Sequence, residues 1–419
     1  MIIKRVEVFI VKDSRNQDTI KVEVNGCGTI APSGKSTGKF EKKSYIHNLR
    51  EDVDSLRGEM TRRLPEIKYF NDLEKIEKIF KNKIGANSLF ALEASILKAL
   101  AKENGKELWN FLNPKAKKIP TILSNTIGGG AHSSVEKNST KPEFQEFLVC
   151  CDAKKVSEQK KILQRVHETA GKVLSRFENK TIEKNDENVS FRKRSVSKKT
   201  LSWEESVNKE TERNDENAWK TSLSNGAVLE ILKEMRIIFA KEKIKLNIGL
   251  DVAASQFYNR GKYEYKNGEK FLSRKEQIEY ISWLIKKYNL IYVEDPLDEE
   301  DFSGFNELKK KSGSCLIVGD DLTVTNFKRT EKAIKNKSIN AMVIKPNQIG
   351  SLLEVKKVID LCKKNKIKTI ISHRSGETID DTIADLGVAW ECDFIKTPVV
   401  GKERLAKVER LKEIEQRFQ

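Results

Sequence analysis

LNIGLD (246–251), LIYVE (290–294), CLIVGD (315–320), AMVIK (341–345), TIISH (369–373) and CDFIK (392–396) share one grammar. Each is a short apolar run, rich in β-branched residues, that ends on a charged or titratable side chain. Such runs read as buried strands, and each is followed by a stretch long enough to form a helix. After a first, longer gap the ends recur roughly every 25 residues, the length of one strand–helix unit. Parallel strands at that period close into a ring. Barrel enzymes of this build place their chemistry at the C-terminal ends of the strands. Here the six ends carry Asp251, Glu294, Asp320, Lys345, His373 and Lys396. A barrel built only for stability has no reason to put a titratable group at every one.

Those residue types point to a chemistry. Asp251, Glu294 and Asp320 from neighbouring strands would repel one another without a cation between them. Oxygen donors alone select a hard ion, Mg²⁺ or Mn²⁺, over zinc. Lys345 and Lys396 would face that ion, and a lysine beside positive charge loses its proton more easily and can act as a base. Taking a proton from carbon next to a carboxylate needs such a base. It also needs positive charge where the carboxylate oxygens gain electrons. If a hydroxyl leaves from the next carbon, an acid is required on the opposite face.

The first third of the chain has another pattern. Residues 3–11 and 19–31 alternate like strands, with Asp13, Ser14, Asn16 and Asp18 as turn residues between them. A helix is predicted over 87–104, capped by Asn87 or Ser88 and stopped by Gly105. The expected division is an α+β module at 1–118 and a barrel at 119–419, with residues 179–220 as an extended, charged surface insertion in which NDEN occurs twice. The chain of 419 residues is 38% hydrophobic and 34% charged, with net charge +17. The basic residues are spread along the sequence and not interleaved with aromatics, so a lysine-rich solvated surface is expected and a nucleic-acid partner is not. No apolar run reaches the roughly 20 residues of a membrane span. The opening MIIKRVEVFIVKDSR has no small-residue cleavage site and reads as a strand, so a cytoplasmic protein is expected. The six cysteines form no CxxC pair and are expected as reduced thiols buried in strands.

Together these residues resemble the enolase family. The matching stretches are DSR (13–15), APSGKSTG (31–38), GGAH (129–132), QEF (145–147), IGLDVAAS (248–255), VEDP (293–296), GDDLTVTN (319–326), IKPNQIGS (344–351), SHRSGET (372–378) and IKTPVVGKERLAK (395–407). The proline of KPNQIG and the aromatic of NDENAW look like the archaeal branch. The resemblance implies an enolase-type (β/α)8 barrel behind a small N-terminal domain, with first units that depart from plain βα order. It implies a lyase using two Mg²⁺ ions to convert 2-phosphoglycerate reversibly to phosphoenolpyruvate and water. It implies Asp251, Glu294 and Asp320 as ligands of one Mg²⁺ and Ser36 as the residue closing over a second. By the same likeness Lys345 is the base, Lys396 holds the substrate carboxylate, and Glu216 is the acid assisted by Glu146. His132 and His373 would line the pocket, Arg374 and Ser375 would bind phosphate, and a dimer or octamer is implied.

Three segments depart from the family pattern. NDENA (214–218) stands where the family has GDEGG or GDEGA, the loop after His132 is longer, and DSRNQDT lacks the usual glycine and proline. Glu187 in the first NDEN competes with Glu216 in the second as the acid. Trp219 and the following LSN favour Glu216. The departures also admit a relative that uses the same chemistry on another 2-hydroxy or phospho acid, or a weakly active or non-catalytic binding protein.

Overall fold

The computed structural model describes residues 1–35, 38–59, 64–130, 141–187, 212–266 and 270–418, with 178–187 given as helical backbone. Strands β1 (Val6–Lys12), β2 (Asp18–Val24) and β3 (Cys27–Ile30) form an antiparallel N-terminal sheet. The predicted second strand is thus two strands. Asn25 and Gly26 turn the chain between them with φ of 49° and 78°. Both central residues of this tight hairpin are left-handed, which is what Asn-Gly supplies. The helix Ala86–Glu103 packs on this sheet. Gly105 stops it with φ 65°. Neither Asn87 nor Ser88 caps it. The N-cap is Gly85, whose N–H donates to Asp52 Oδ2 at 2.6 Å, and Ser88 Oγ donates to the same oxygen at 2.6 Å. A carboxylate from another helix therefore meets the positive end of this one.

The barrel begins with β4 (Thr121–Gly128), β5 (Glu146–Cys151) and β6 (Leu246–Asp251). A small antiparallel sheet follows, β7 (Tyr258–Asn259), β8 (Lys262–Tyr265) and β9 (Lys270–Ser273). The barrel then completes with β10 (Tyr292–Glu294), β11 (Leu316–Gly319), β12 (Ala341–Ile344), β13 (Lys368–Ser372) and β14 (Phe394–Lys396). The ring closes in the order β10-β11-β12-β13-β14-β4-β5-β6. All pairs are parallel except those of β5, which runs antiparallel to both β4 and β6. Leu123, Leu148, Tyr292, Val318, Val343 and Ile370 fill the lumen. The opposite faces of the strands pack on the surrounding helices.

Two expectations change. The segment 179–220 is not extended throughout, because the helix Val156–Glu187 continues into it. No glycine or proline interrupts that stretch, and its Lys and Glu residues are good helix formers. Residues 212–220 are folded against the barrel, and 188–211 lie outside the described residues. The six cysteines are free, but only Cys27, Cys150 and Cys151 lie in strands. No helix among the described residues is long and apolar enough to cross a membrane.

Candidate active site

Strand register brings the site together. Asp251 and Glu294 are the last residues of β6 and β10 and sit side by side as Cα partners. Ser372 pairs with Lys396 in the same way, so His373 follows directly beside Lys396. Asp320 and Lys345 come one residue after β11 and β12. Glu146 is the first residue of β5, and only because that strand is reversed does it reach this end, opposite Asp251. Glu146, Asp251, Asp320, Lys345, His373 and Lys396 line one cavity, and Glu294 is fully buried behind it, bonded to Lys396.

Lysines interleave with the acids. Lys396 Nζ donates to Asp251 Oδ2 at 2.9 Å and to Glu294 at 2.9 and 3.0 Å, and it lies 3.0 Å from Glu146. Lys345 donates to Asp320. Burial alone would strip the proton from Lys345, but the charge of Asp320 outweighs it and holds the ammonium above the ordinary lysine range. The ion pair with Asp320 is what holds it there. Burial and the neighbouring Asp251 push Glu294 well above the usual carboxylate range. Asp295 is raised by burial and then by Asp321 and Asp320, and Asp321 is pushed up to about 8 by burial and Asp320.

Glu216 reaches the cavity from the loop after the long helix. Asn214 Oδ1 accepts the N–H groups of Glu216 and Ala218 at 3.0 and 2.9 Å, closing a tight turn. Asn217 takes φ 64°, a left-handed conformation that asparagine tolerates better than most residues. The two asparagines thus build the turn that the family forms with glycines. Trp219 anchors it. Its ring stacks on His167 at 5.0 Å and its Nε1 donates to the His167 carbonyl at 2.7 Å. Asn125 Nδ2 donates to Glu216 Oε2 at 3.1 Å. One ligand atom from each of Glu146, Glu216 and His373 comes within 4.8 Å of the others. Burial drives His373 far below the ordinary histidine range, so the ring is neutral, and its Nδ1 has no hydrogen-bond partner among the described residues. Glu187 is the last residue of the long helix, and its side chain lies outside the described residues.

Arg374 and Ser375 also line the cavity. Arg374 Nη2 donates to both oxygens of Glu41 at 3.0 and 3.2 Å, and Nη1 to Asn347 at 3.2 Å. Ser375 Oγ accepts the N–H of Lys35 at 2.8 Å. The guanidinium is therefore matched to a two-oxygen anion, the geometry that phosphate also offers. Gly34 lies so close that a Cβ there would meet Arg374 Nη2 at 2.0 Å. Ser36 and His132 lie outside the described residues.

The cavity suits a divalent cation. Glu146, Glu216, Asp251, Asp295, Asp320 and Asp321 line it against Lys345, Arg374 and Lys396. Burial and mutual repulsion raise Asp295 and Asp321, and the donors are almost all oxygens, as a hard cation requires. One oxygen each from Asp295, Asp320 and Asp321 comes within 4.8 Å of the others. Asp251 and Glu294 are bridged by Lys396 instead. Asp295, Asp321, Gln145 and Glu41 escaped the sequence reading. The signal for the first two was present as adjacent acids in VEDP and GDDLTVTN. For Glu41 nothing local marks it, because its partner lies more than 300 residues away.

Residues 194–419 match the family model described as the enolase C-terminal TIM barrel domain. Over 433 residues the chain is 34% identical to the enolase of Thermoplasma acidophilum, covering 99% of this chain and 98% of the relative. It is 36% identical to the enolase of Methanocorpusculum labreanum over 433 residues, 97% of each. For the enolase of Methanosphaera stadtmanae the identity is 35% over 438 residues, 99% of this chain and 97% of the relative. With this likeness along nearly its whole length, and a barrel whose strand ends carry acids and lysines around one cavity, the chain belongs to the enolase family.

Proposed function

We propose that the protein is an enolase, a hydro-lyase that interconverts 2-phosphoglycerate and phosphoenolpyruvate plus water. The observation that carries this reading is the single cavity in which Lys345, Lys396 and the strand-end acids meet the cluster of Glu146, Glu216 and His373. Lys345 takes the hydrogen from C2 of the substrate, and the electron pair moves into the carboxylate. The C3–O bond then breaks, Glu216 delivers a proton to the departing hydroxyl, and the C2–C3 double bond and water result. Lys396 holds the substrate carboxylate, Glu146 assists Glu216, and Arg374 with Ser375 grips the phosphate in place of Glu41. Asp251, Glu294 and Asp320 would hold Mg²⁺. A cation bound there would supply the positive charge that stabilises the electron-rich carboxylate.

Ser36 as ligand of a second Mg²⁺ and His132 as a pocket residue rest on the resemblance alone. So do a role in glycolysis and gluconeogenesis and a homo-oligomer of two or eight chains, while a cytoplasmic home and a domain boundary at 118/119 rest on the sequence pattern. Action on another acid was suggested by NDENA, and the turn that Asn214 and Asn217 build weakens that suggestion. The test is to mix purified protein with 2-phosphoglycerate and Mg²⁺ and follow phosphoenolpyruvate by its ultraviolet absorbance. Turnover that EDTA abolishes and added Mg²⁺ restores is expected. A folded, Mg²⁺-loaded protein without turnover overturns the reading.

A further inference from the structure

The net charge of +17 is dispersed in sequence, but the barrel gathers it. Turns that lead into parallel strands all lie at one end of a barrel, and the turn leaving the reversed β5 joins them there. These turns include NPKAKKIP (113–120), CDAKKV (151–156), AKEKIKL (240–246), KKKSGSCL (309–316), KNKSINA (335–341) and KKNKIK (363–368). Backbone contacts tie them round the rim, with Cys151 beside Leu246, Lys368 beside Ala341 and Thr121 beside Phe394. Every lysine in them is exposed except Lys309, which is half-buried. Burial and the charges of Lys337 and Lys310 lower the pKa of Lys309, a sign of the positive field across this face.

The carboxylates of this face are already committed. In these turns and the one at 389–394 they are Asp152, Glu242, Glu391 and Asp393. They pair with Lys245 at 2.9 Å, Arg165 at 2.8 Å, Lys363 at 3.9 Å and Lys118 at 2.8 Å. The ammonium groups of Lys117, Lys241, Lys310, Lys337, Lys364 and Lys366 have no carboxylate within ion-pair distance among the described residues. Lys243, Lys337 and Lys366 even occupy left-handed positions, with φ of 59°, 53° and 57°, which glycine or asparagine fills more easily.

We propose that this face of the barrel, opposite the catalytic cavity, binds the phosphate backbone of a nucleic acid independently of sequence. The face has two clefts. Lys118, Lys363, Lys366 and Lys368 line one, together with Glu391 and Asp393, which pair with Lys363 and Lys118, and Lys243, Lys245 and Arg236 line the other. A strand of phosphates can enter such clefts, whereas a flat bilayer would touch only their rims. None of the large exposed apolar side chains falls in these turns, so nothing is offered to insert into a membrane. Arg236 is held by the Tyr288 and Asn289 carbonyls, and lysines without exposed rings beside them contact phosphates as point charges and read no bases.

The experiment measures binding of a fluorescent single-stranded RNA of about 20 nucleotides by anisotropy across a salt series. Dissociation constants of about 10⁻⁶–10⁻⁴ M near physiological salt, rising steeply with salt, are expected. A Lys117→Gln, Lys366→Asn, Lys368→Gln variant should bind at least tenfold more weakly at low salt, with a log–log salt slope shallower by about 2–3. A Lys4→Gln, Lys68→Gln, Lys78→Gln variant should bind like the parent. Circular dichroism checks both folds, and Lys117→Gln and Lys364→Gln singly replace the first variant if it does not fold. No binding at low salt, or equal weakening in the two variants, would overturn the proposal. Binding to phosphatidylserine vesicles with none to RNA would also overturn it, in favour of a membrane surface. The proposal does not rest on the catalytic reading, and its readout is independent of turnover.

Discussion

Lys345 and Glu216 approach the cavity from different elements, so removing each should have its own signature. Lys345→Ala should lower kcat by at least about 10³, because the other amine of the cavity, Lys396, is held by Asp251, Glu294 and Glu146. Glu216→Gln should cost about 10²–10⁴ in kcat, and Glu187→Gln should change it less than about twofold. The reverse ranking, read from steady-state turnover, would reassign the acid. His167 makes a pH prediction. Burial holds its pKa down to about 4, so the folded ring stays neutral where the unfolded one takes a proton. Its contribution to stability is full above the unfolded value of about 6.5 and is lost as pH falls toward 4. The loss is on the order of 3 kcal/mol. Thermal melts between pH 7 and 4 should show it, and His167→Phe should flatten the dependence. At this scale the strand-end residues were legible because barrel geometry forces them to one place. The pairing of Arg374 with Glu41 was not, since only folding brings those segments together.

Elements carry these residues through close contacts that small substitutions can break. A Cβ at Gly171 would meet the Trp219 ring at 2.6 Å. Gly171→Ala should therefore push Trp219 and the Glu216 turn outward, lowering kcat more than about tenfold with far-ultraviolet circular dichroism unchanged. Unaltered kcat would mean that the turn is not held by Trp219. Asp52→Ala removes the acceptor for Gly85 N–H and Ser88 Oγ, both buried. The expected cost is about 3 kcal/mol, read as a lower urea midpoint at unchanged m. The runs 3–11 and 19–31 were legible as strands by alternation. The Asn25–Gly26 turn inside the second was also written there and was read through. The cap by Asp52 was not legible, because the helix sequence offers its own Asn87 and Ser88 and only packing shows them facing inward. The reversal of β5 left no local mark, because a buried strand has the same composition in either direction.

For the whole molecule, one barrel sorts its charge to two ends. Acids and paired lysines crowd the C-terminal ends of the strands, and unpaired lysines crowd the other. Periodicity revealed the first, since the site residues end each apolar run. The second was hidden, since the turn lysines look like ordinary surface until the ring closes. The central claim is that Lys345 breaks the C2–H bond and Glu216 only helps the hydroxyl leave. Its most direct measurement follows the C2 hydrogen of 2-phosphoglycerate by NMR in deuterium oxide with Mg²⁺. Glu216→Gln should exchange that hydrogen while forming little phosphoenolpyruvate, and Lys345→Ala should do neither. Exchange that persists in Lys345→Ala would contradict the account.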